Sequence, residues 1–280
     1  MRIQNTLFGL LMTIVGVGFA SSAEARATDC ESTIERAKAE AMKGDYRSDL
    51  KLLDSVVEQL KPWLDTEDCG YLANYWSGFA LWRKAINTAN LDRETGHLEQ
   101  VLRKAIDNFE ASVEKRPDFA DGHAAIAGTT GWLQGFAQIE TNERTTLAMN
   151  AWKHIGIASQ LQPENPRVLW VKAGMLLSAP PQYGGDRTQA LKIFETVADR
   201  SKKPLSSLGP DWGVPEALMS LSWAHLNADA PNTATAEQYA LRALELQPHW
   251  YYVREILLPQ IRDKASSQSE TESGKASNPT

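Results

Sequence analysis

The chain has 280 residues, 42% of them hydrophobic and 23% charged, with a net charge of −6 and only two cysteines. Surfaces for nucleic acids or anionic membranes need clustered Lys and Arg, and no basic run of that density is present, so this class of partner is excluded. Removing the leader described next leaves about 250 residues, which in an ordinary globular chain would make one or two domains.

Arg2 supplies a positive start, Leu7 to Ala20 form an apolar run, and small residues follow. This is the pattern of a secretory signal peptide, assigned to residues 1–27. Cleavage after Ala25 or Ala27 would start the mature chain at Arg26 or Thr28, and with Thr28 the segment Thr28-Asp-Cys-Glu31 reads as a capping box opening the first helix. The apolar run is short for a membrane span. The mature protein is therefore expected in the periplasm or secreted, without stable membrane insertion. In an oxidising compartment an isolated cysteine pair forms a disulfide, so Cys30 and Cys69 are expected to be joined. The spacing is not C-x-x-C and no His lies near, so a catalytic or metal-binding pair has little support.

In chain order the pattern predicts eleven helices, at 29–43, 46–60, 68–86, 92–115, 119–138, 143–161, 166–178, 187–200, 215–227, 233–246 and 250–263. Gly44 follows the first, Pro62 interrupts the second, and Pro117, Pro163 and Pro248 block continuation of three others. Asn165-Pro166 puts a capping side chain before a proline at the first helical position, and Asp186-Arg-Thr-Gln189 reads as another capping box. The helical domain spans 28–264. Residues 265–280 carry no large apolar side chain and are expected to form a solvated tail.

The helices repeat. Pro117, Pro163 and Pro248 each follow a similar helix end, and twelve residues before them stand Ala105, Ala151 and Ala236. Five residues before them stand Ser112, Ala158 and Ala243, and eight before them Phe109, Ile155 and Ala240. Ala190, Phe194 and Val197 repeat the spacing without the proline. In the preceding helices Gly78, Gly128 and Gly174 form a second small-residue series. Glycine costs a helix about 1 kcal/mol relative to alanine, which is tolerable where it lets another element approach closely.

The string Ala-x3-Phe-x2-Ser-x4-Pro at Ala105 to Pro117 and Ala-Leu-Glu-Leu-Gln-Pro at Ala243 to Pro248 resemble tetratricopeptide (TPR) motifs, over roughly Tyr71 to Pro259. Pro180-Pro-Gln-Tyr-Gly-Gly-Asp186 resembles an insert of divergent exported bacterial TPR proteins. The resemblance implies an all-α fold: a right-handed array of about five antiparallel helix pairs with a C-terminal capping helix, its units longer than the family's usual repeat. It also implies a curved face lined by the first helix of each pair, which would hold a peptide or protein partner.

Tryptophan is a favoured interface anchor, and the chain has nine. Trp76, Trp82, Trp152, Trp170 and Trp223 fall inside helices and read mainly as core, while Trp63, Trp132, Trp212 and Trp250 fall near helix ends. Tyr75, Trp82, Trp132, Trp170, Tyr183 and Trp212 are the candidate partner contacts. The Tyr183-Gly-Gly-Asp186 loop reads as a turn with a helix cap rather than a phosphate loop, which would follow a strand and end in Gly-Lys-Ser/Thr. Its alternative role is a partner-binding loop with Pro180, Pro181 and Tyr183 in contact. No two of the five histidines have metal-ligand spacing on one helix face, and Asp121 and His123 read as surface residues. No nucleophile elbow occurs. No catalytic residue, metal or cofactor is assigned. The leading expectation is an exported binding scaffold. The alternatives are an accessory component of a solute uptake system binding a small apolar ligand and, less favoured, an enzyme.

Overall fold

The computed structural model describes residues 22–91, 96–136, 138–200 and 207–276. Most of the expected leader, the predicted first turn of the fourth helix at 92–95 and the last positions of the expected tail lie outside the described residues. Those described form an all-helical fold without a strand: α1 (Ser22–Arg47), α2 (Leu50–Leu60), α3 (Gly70–Asn90), α4 (Leu98–Lys115), α5 (Ala120–Leu133), α6 (Thr141–Leu161), α7 (Pro166–Ser178), α8 (Arg187–Ala198), α9 (Val214–Leu226), α10 (Thr233–Leu246) and α11 (Leu258–Ala276). A π-helical turn, Tyr252–Leu257, leads into α11.

Local chemistry sets these limits. Asn165 accepts a hydrogen bond from the backbone N–H of Arg167 with Pro166 in the first turn, and Asp186 accepts one from Gln189 N–H at 2.9 Å. Both satisfy N–H groups that a helix leaves without partners. By contrast, α1 runs unbroken through Thr28, so in this chain the Thr28–Glu31 box lies within a helix and does not open one. At the other end α11 continues through Ala276, overlapping the segment read as a solvated tail. There Gln268 donates to the carbonyl of Pro231 at 3.2 Å.

Successive helices pack as pairs: α1 on α2, α3 on α4, α5 on α6, α7 on α8 and α9 on α10, with α11 against α10. The recurring small and apolar positions are the seams of these pairs. Ala105, Ser112, Ala158, Ala236, Ala240 and Ala243 have no exposed surface, and neither has Phe109. Burying a side chain such as Phe109 contributes about 1.5–3 kcal/mol. A β-carbon on Gly78 would stand 2.9 Å from the Phe109 ring and 3.0 Å from the Ala105 carbonyl, and one on Gly128 would stand 3.2 Å from Trp82. These two glycines permit close packing. Gly174 does not belong with them, since a β-carbon there meets nothing within 4 Å.

The expected disulfide is present. Cys30 and Cys69 are joined with their Cα atoms 6.5 Å apart, both buried, so α1 is tied to the residue preceding α3. Two apolar clusters run through the molecule. The first gathers α1 to α5 with parts of α6 and α7, and the second gathers α7 to α11. Tyr46 of α1 belongs to the second cluster, its ring meeting Trp250 edge-on at 5.1 Å. The first helix therefore touches the last third of the chain.

Candidate functional site

Of the aromatic residues singled out in the sequence, Tyr75 and Trp82 lie on α3, Trp132 on α5 and Trp170 on α7, and the stretch at residues 207–213 packs against α3 and α7. Trp212 places its ring 5.8 Å from Phe79, 6.1 Å from Trp82 and 5.5 Å from Trp170, measured between centroids. Its indole donates to the Tyr75 hydroxyl at 3.1 Å, and its carbonyl accepts from Arg167 at 3.3 Å. Nearby, Trp76 donates to the Leu208 carbonyl at 3.0 Å. Lys38 of α1 reaches the Ser207 carbonyl at 3.2 Å and the Asp211 carboxylate at 3.1 Å.

This geometry corrects the assignment of contact residues. Tyr75 and Trp82 have 0% of their surface exposed and Trp212 has 3%, so they offer no area to a partner. The chain's own segment takes the place expected for a ligand. Trp170 is half-buried beside them, and its indole donates to Ser220 at 3.0 Å. Trp132 and Tyr183 stand apart from this cluster, 42% and 71% exposed. Trp223, read as core, is 41% exposed, while Trp250, near a helix end, is buried.

Two buried polar networks hold the segment's end in place. In one, Arg167 pairs with Asp121 at 2.5 Å while Asn165 donates to the same carboxylate at 3.2 Å. In the other, Tyr46 donates to Glu216 at 2.6 Å, and the second oxygen of Glu216 accepts from Gly213 N–H at 2.6 Å. Gly213 has φ 120°, a conformation that favours glycine. Close by, Asp45 of α1 binds Arg83 at 2.7 Å and accepts from Asn87 at 2.9 Å. Burial raises the Glu216 carboxyl above its usual range, opposed by the Tyr46 hydrogen bond and the Arg83 charge. Burial likewise pushes the Tyr46 hydroxyl well up, with Glu216 adding to it. Hydrogen-bonded networks of this kind, buried in a low dielectric, rigidify the elements that they join.

An open cleft of about 590 Å³ lies between α1, Ser207 and Asp211, Pro215 at the start of α9, and the Gln247–His249 turn. One stripe of α1 forms its long wall: Glu35, Lys38, Ala39, Met42, Lys43, Tyr46 and Arg47 recur at helical spacing. Ser207, Asp211, Pro215 and the turn face it. Its volume falls in the range of ligand sites. No part of this site was named from the sequence. The signal was an α1 face that alternates apolar and basic residues, which a surface helix also shows when it binds nothing.

Two histidines meet where none was expected to. His123 of α5 and His154 of α6 place their Nδ1 atoms 2.8 Å apart, and His123 Nε2 lies 3.0 Å from the Pro117 carbonyl. A carbonyl only accepts, so His123 carries a proton on Nε2; with both rings neutral, His154 Nδ1 is then the donor to His123 Nδ1. Burial, the neighbouring His123 and Lys153 lower His154 from 6.5 to about 4. Asp121 and His123 are both buried, not surface residues. Among the described residues no group of three or more His, Cys, Asp or Glu side chains is arranged to hold a metal ion.

The Pro-Pro-x-Tyr-Gly-Gly-Asp stretch is a turn that caps α8. Gly184 has φ 90°, and a β-carbon on Gly185 would stand 1.8 Å from the Ala179 carbonyl. Asp186 N–H donates to the Leu176 carbonyl at 2.9 Å, closing the loop onto α7. No described helix is long and apolar enough to cross a membrane. Comparison of the chain with protein-family models, with curated proteins and with solved structures gives no match.

Proposed function

We propose that this chain is an exported TPR-type binding scaffold: a right-handed array of five helix pairs closed by a C-terminal helix. It acts in the periplasm or outside the cell after loss of residues 1–27, and it engages a protein or peptide partner in the cleft along α1. The single observation that carries this reading is that cleft, about 590 Å³ and open, beside an aromatic interior already filled by Trp212. The paired helices, the recurring buried alanines and the Cys30–Cys69 bond support the repeat and export parts of the proposal. The interior offers no support to the alternative of a small apolar solute, because the space between the odd-numbered helices is occupied by side chains of the chain itself.

The experiment is site-specific photocrosslinking in the native exported fraction, with the reactive residue placed at Met42 in the cleft or at Trp132 away from it. A defined adduct formed from position 42 alone, and lost when Ala39 is replaced by Trp to fill the cleft, is the expected result. Equal labelling from both positions, or none from position 42, removes the proposal.

A further inference from the structure

The cleft along α1 has a charge pattern that points to the chemistry of its occupant. Lys43 and Arg47 stand four residues apart at one end of it, both exposed, and no ion pair joins either to a carboxylate among the described residues. Like charges at this spacing repel each other mildly, and they stand out on a chain of net charge −6. Basic side chains in the last turn of a helix also favour its negative end. That accounts for Arg47 but not for Lys43 one turn earlier, and neither cation is paired across the cleft among the described residues. Lys38, in the middle, is already neutralised by Asp211 at 3.1 Å. Glu35 lines the opposite end. The cleft is therefore polar along its length: basic at Lys43 and Arg47, apolar over Ala39, Met42, Pro215 and Pro248, and acidic at Glu35.

From Glu35 to Arg47 the helix axis advances about 18 Å. An extended chain at ~3.3 Å per residue covers that distance in about five or six residues. Resting on the binding-scaffold reading above, we infer that the cleft takes an extended internal segment of a protein partner, laid along α1 with carboxylate side chains at its Lys43–Arg47 end and apolar side chains over Met42 and Pro215. Carboxylates at the Glu35 end are disfavoured, so the segment is acidic at one end only.

The test is fluorescence anisotropy on the oxidised protein with an N-terminally labelled, C-terminally amidated octapeptide, Leu-Pro-Leu-Ser-Glu-Glu-Asp-Glu. Two companion peptides carry Gln and Asn, or Lys, in place of the acidic residues. The expected result is binding of the acidic peptide alone, weakened about tenfold or more in the Lys43→Glu/Arg47→Glu variant and largely lost in about 0.5 M salt. Thermal unfolding of that variant should shift only slightly, since both side chains are exposed and only the favourable place of Arg47 in the last turn is lost. A Lys43→Gln/Arg47→Gln pair serves if charge reversal disturbs the fold. If the Gln and Asn peptide binds as tightly as the acidic one, the charge inference is overturned and the binding reading stands. If no peptide binds and position 42 yields no crosslinked partner, both are overturned.

Discussion

The indole of Trp212 donates a hydrogen bond of 3.1 Å to the hydroxyl of Tyr75, a residue 137 positions earlier. This bond fastens an irregular stretch just before α9 onto α3. It also explains why so many aromatics in this chain are inaccessible. Phe79, Trp82 and Trp170 surround Trp212, and the carbonyl of the same residue meets Arg167.

Trp212→Ala is predicted to destabilise the protein by about 3–5 kcal/mol, the usual cost of emptying a large aromatic site. Trp132→Ala, at a position 42% exposed, should change stability by no more than about 1 kcal/mol. Denaturant midpoints at constant slope separate the two. Equal effects would show that Trp212 is not packed as described.

The Cys30–Cys69 bond closes a loop with a sequence separation of 39. In the chain-entropy model such a closure contributes about 4 kcal/mol. The Cys30→Ser/Cys69→Ser variant should lose most of that in chemical unfolding. Both cysteines are buried, so a mild reductant should leave the native protein unchanged and act only on unfolded chains. Rapid reduction of the folded protein, followed by thiol labelling, would contradict this.

Glycines give predictions of opposite sign. Gly78→Ala should be destabilising because its β-carbon meets the Phe109 ring and the Ala105 carbonyl at 2.9 and 3.0 Å. Gly185→Ala should be worse, since the Ala179 carbonyl would stand 1.8 Å away. Gly174→Ala has open space and should stabilise α7 by up to ~1 kcal/mol through helix propensity. Melting temperatures of the three variants test the ordering.

His154 titrates at about 4 in the folded chain, held below its ordinary 6.5 by burial first, then by His123 and Lys153. The fold therefore prefers the neutral ring. Its contribution is complete above the unfolded value near 6.5 and is lost as the pH falls from there to about 4. The ring is partly reached by solvent, so the loss is put at roughly 1–2 kcal/mol. His154→Gln should flatten the stability profile across that window. An unchanged slope between pH 6.5 and 4 would exclude the His pair as its source.

Much of the helical framework was legible in the sequence because its signals are local. Pro163, Asn165 and Asp186 act within a turn of themselves, and the alanines spaced from Pro117, Pro163 and Pro248 repeat a single packing register. The site was less legible because it depends on distant contacts. Trp212 lies in a stretch with no periodicity, and nothing near it in sequence indicates that its place is beside Tyr75. Trp223 sits within a helix on an exposed face, whereas Trp250 sits at a helix end and is buried. Position relative to a loop does not separate core from surface. His123 and His154 are 31 residues apart on neighbouring helices. The available clue was that His154 precedes Ile155 of the buried series, in a register where a polar ring needs a partner.

The most direct test of this account is hydroxyl-radical footprinting of the tryptophans in the native protein, read by mass spectrometry. Oxidation is predicted at Trp132 and Trp223, with Trp76, Trp82 and Trp212 protected until the chain unfolds. Oxidation of Trp82 and Trp212 as fast as Trp132 would mean that the interior is open, and that the binding surface lies there instead of along α1.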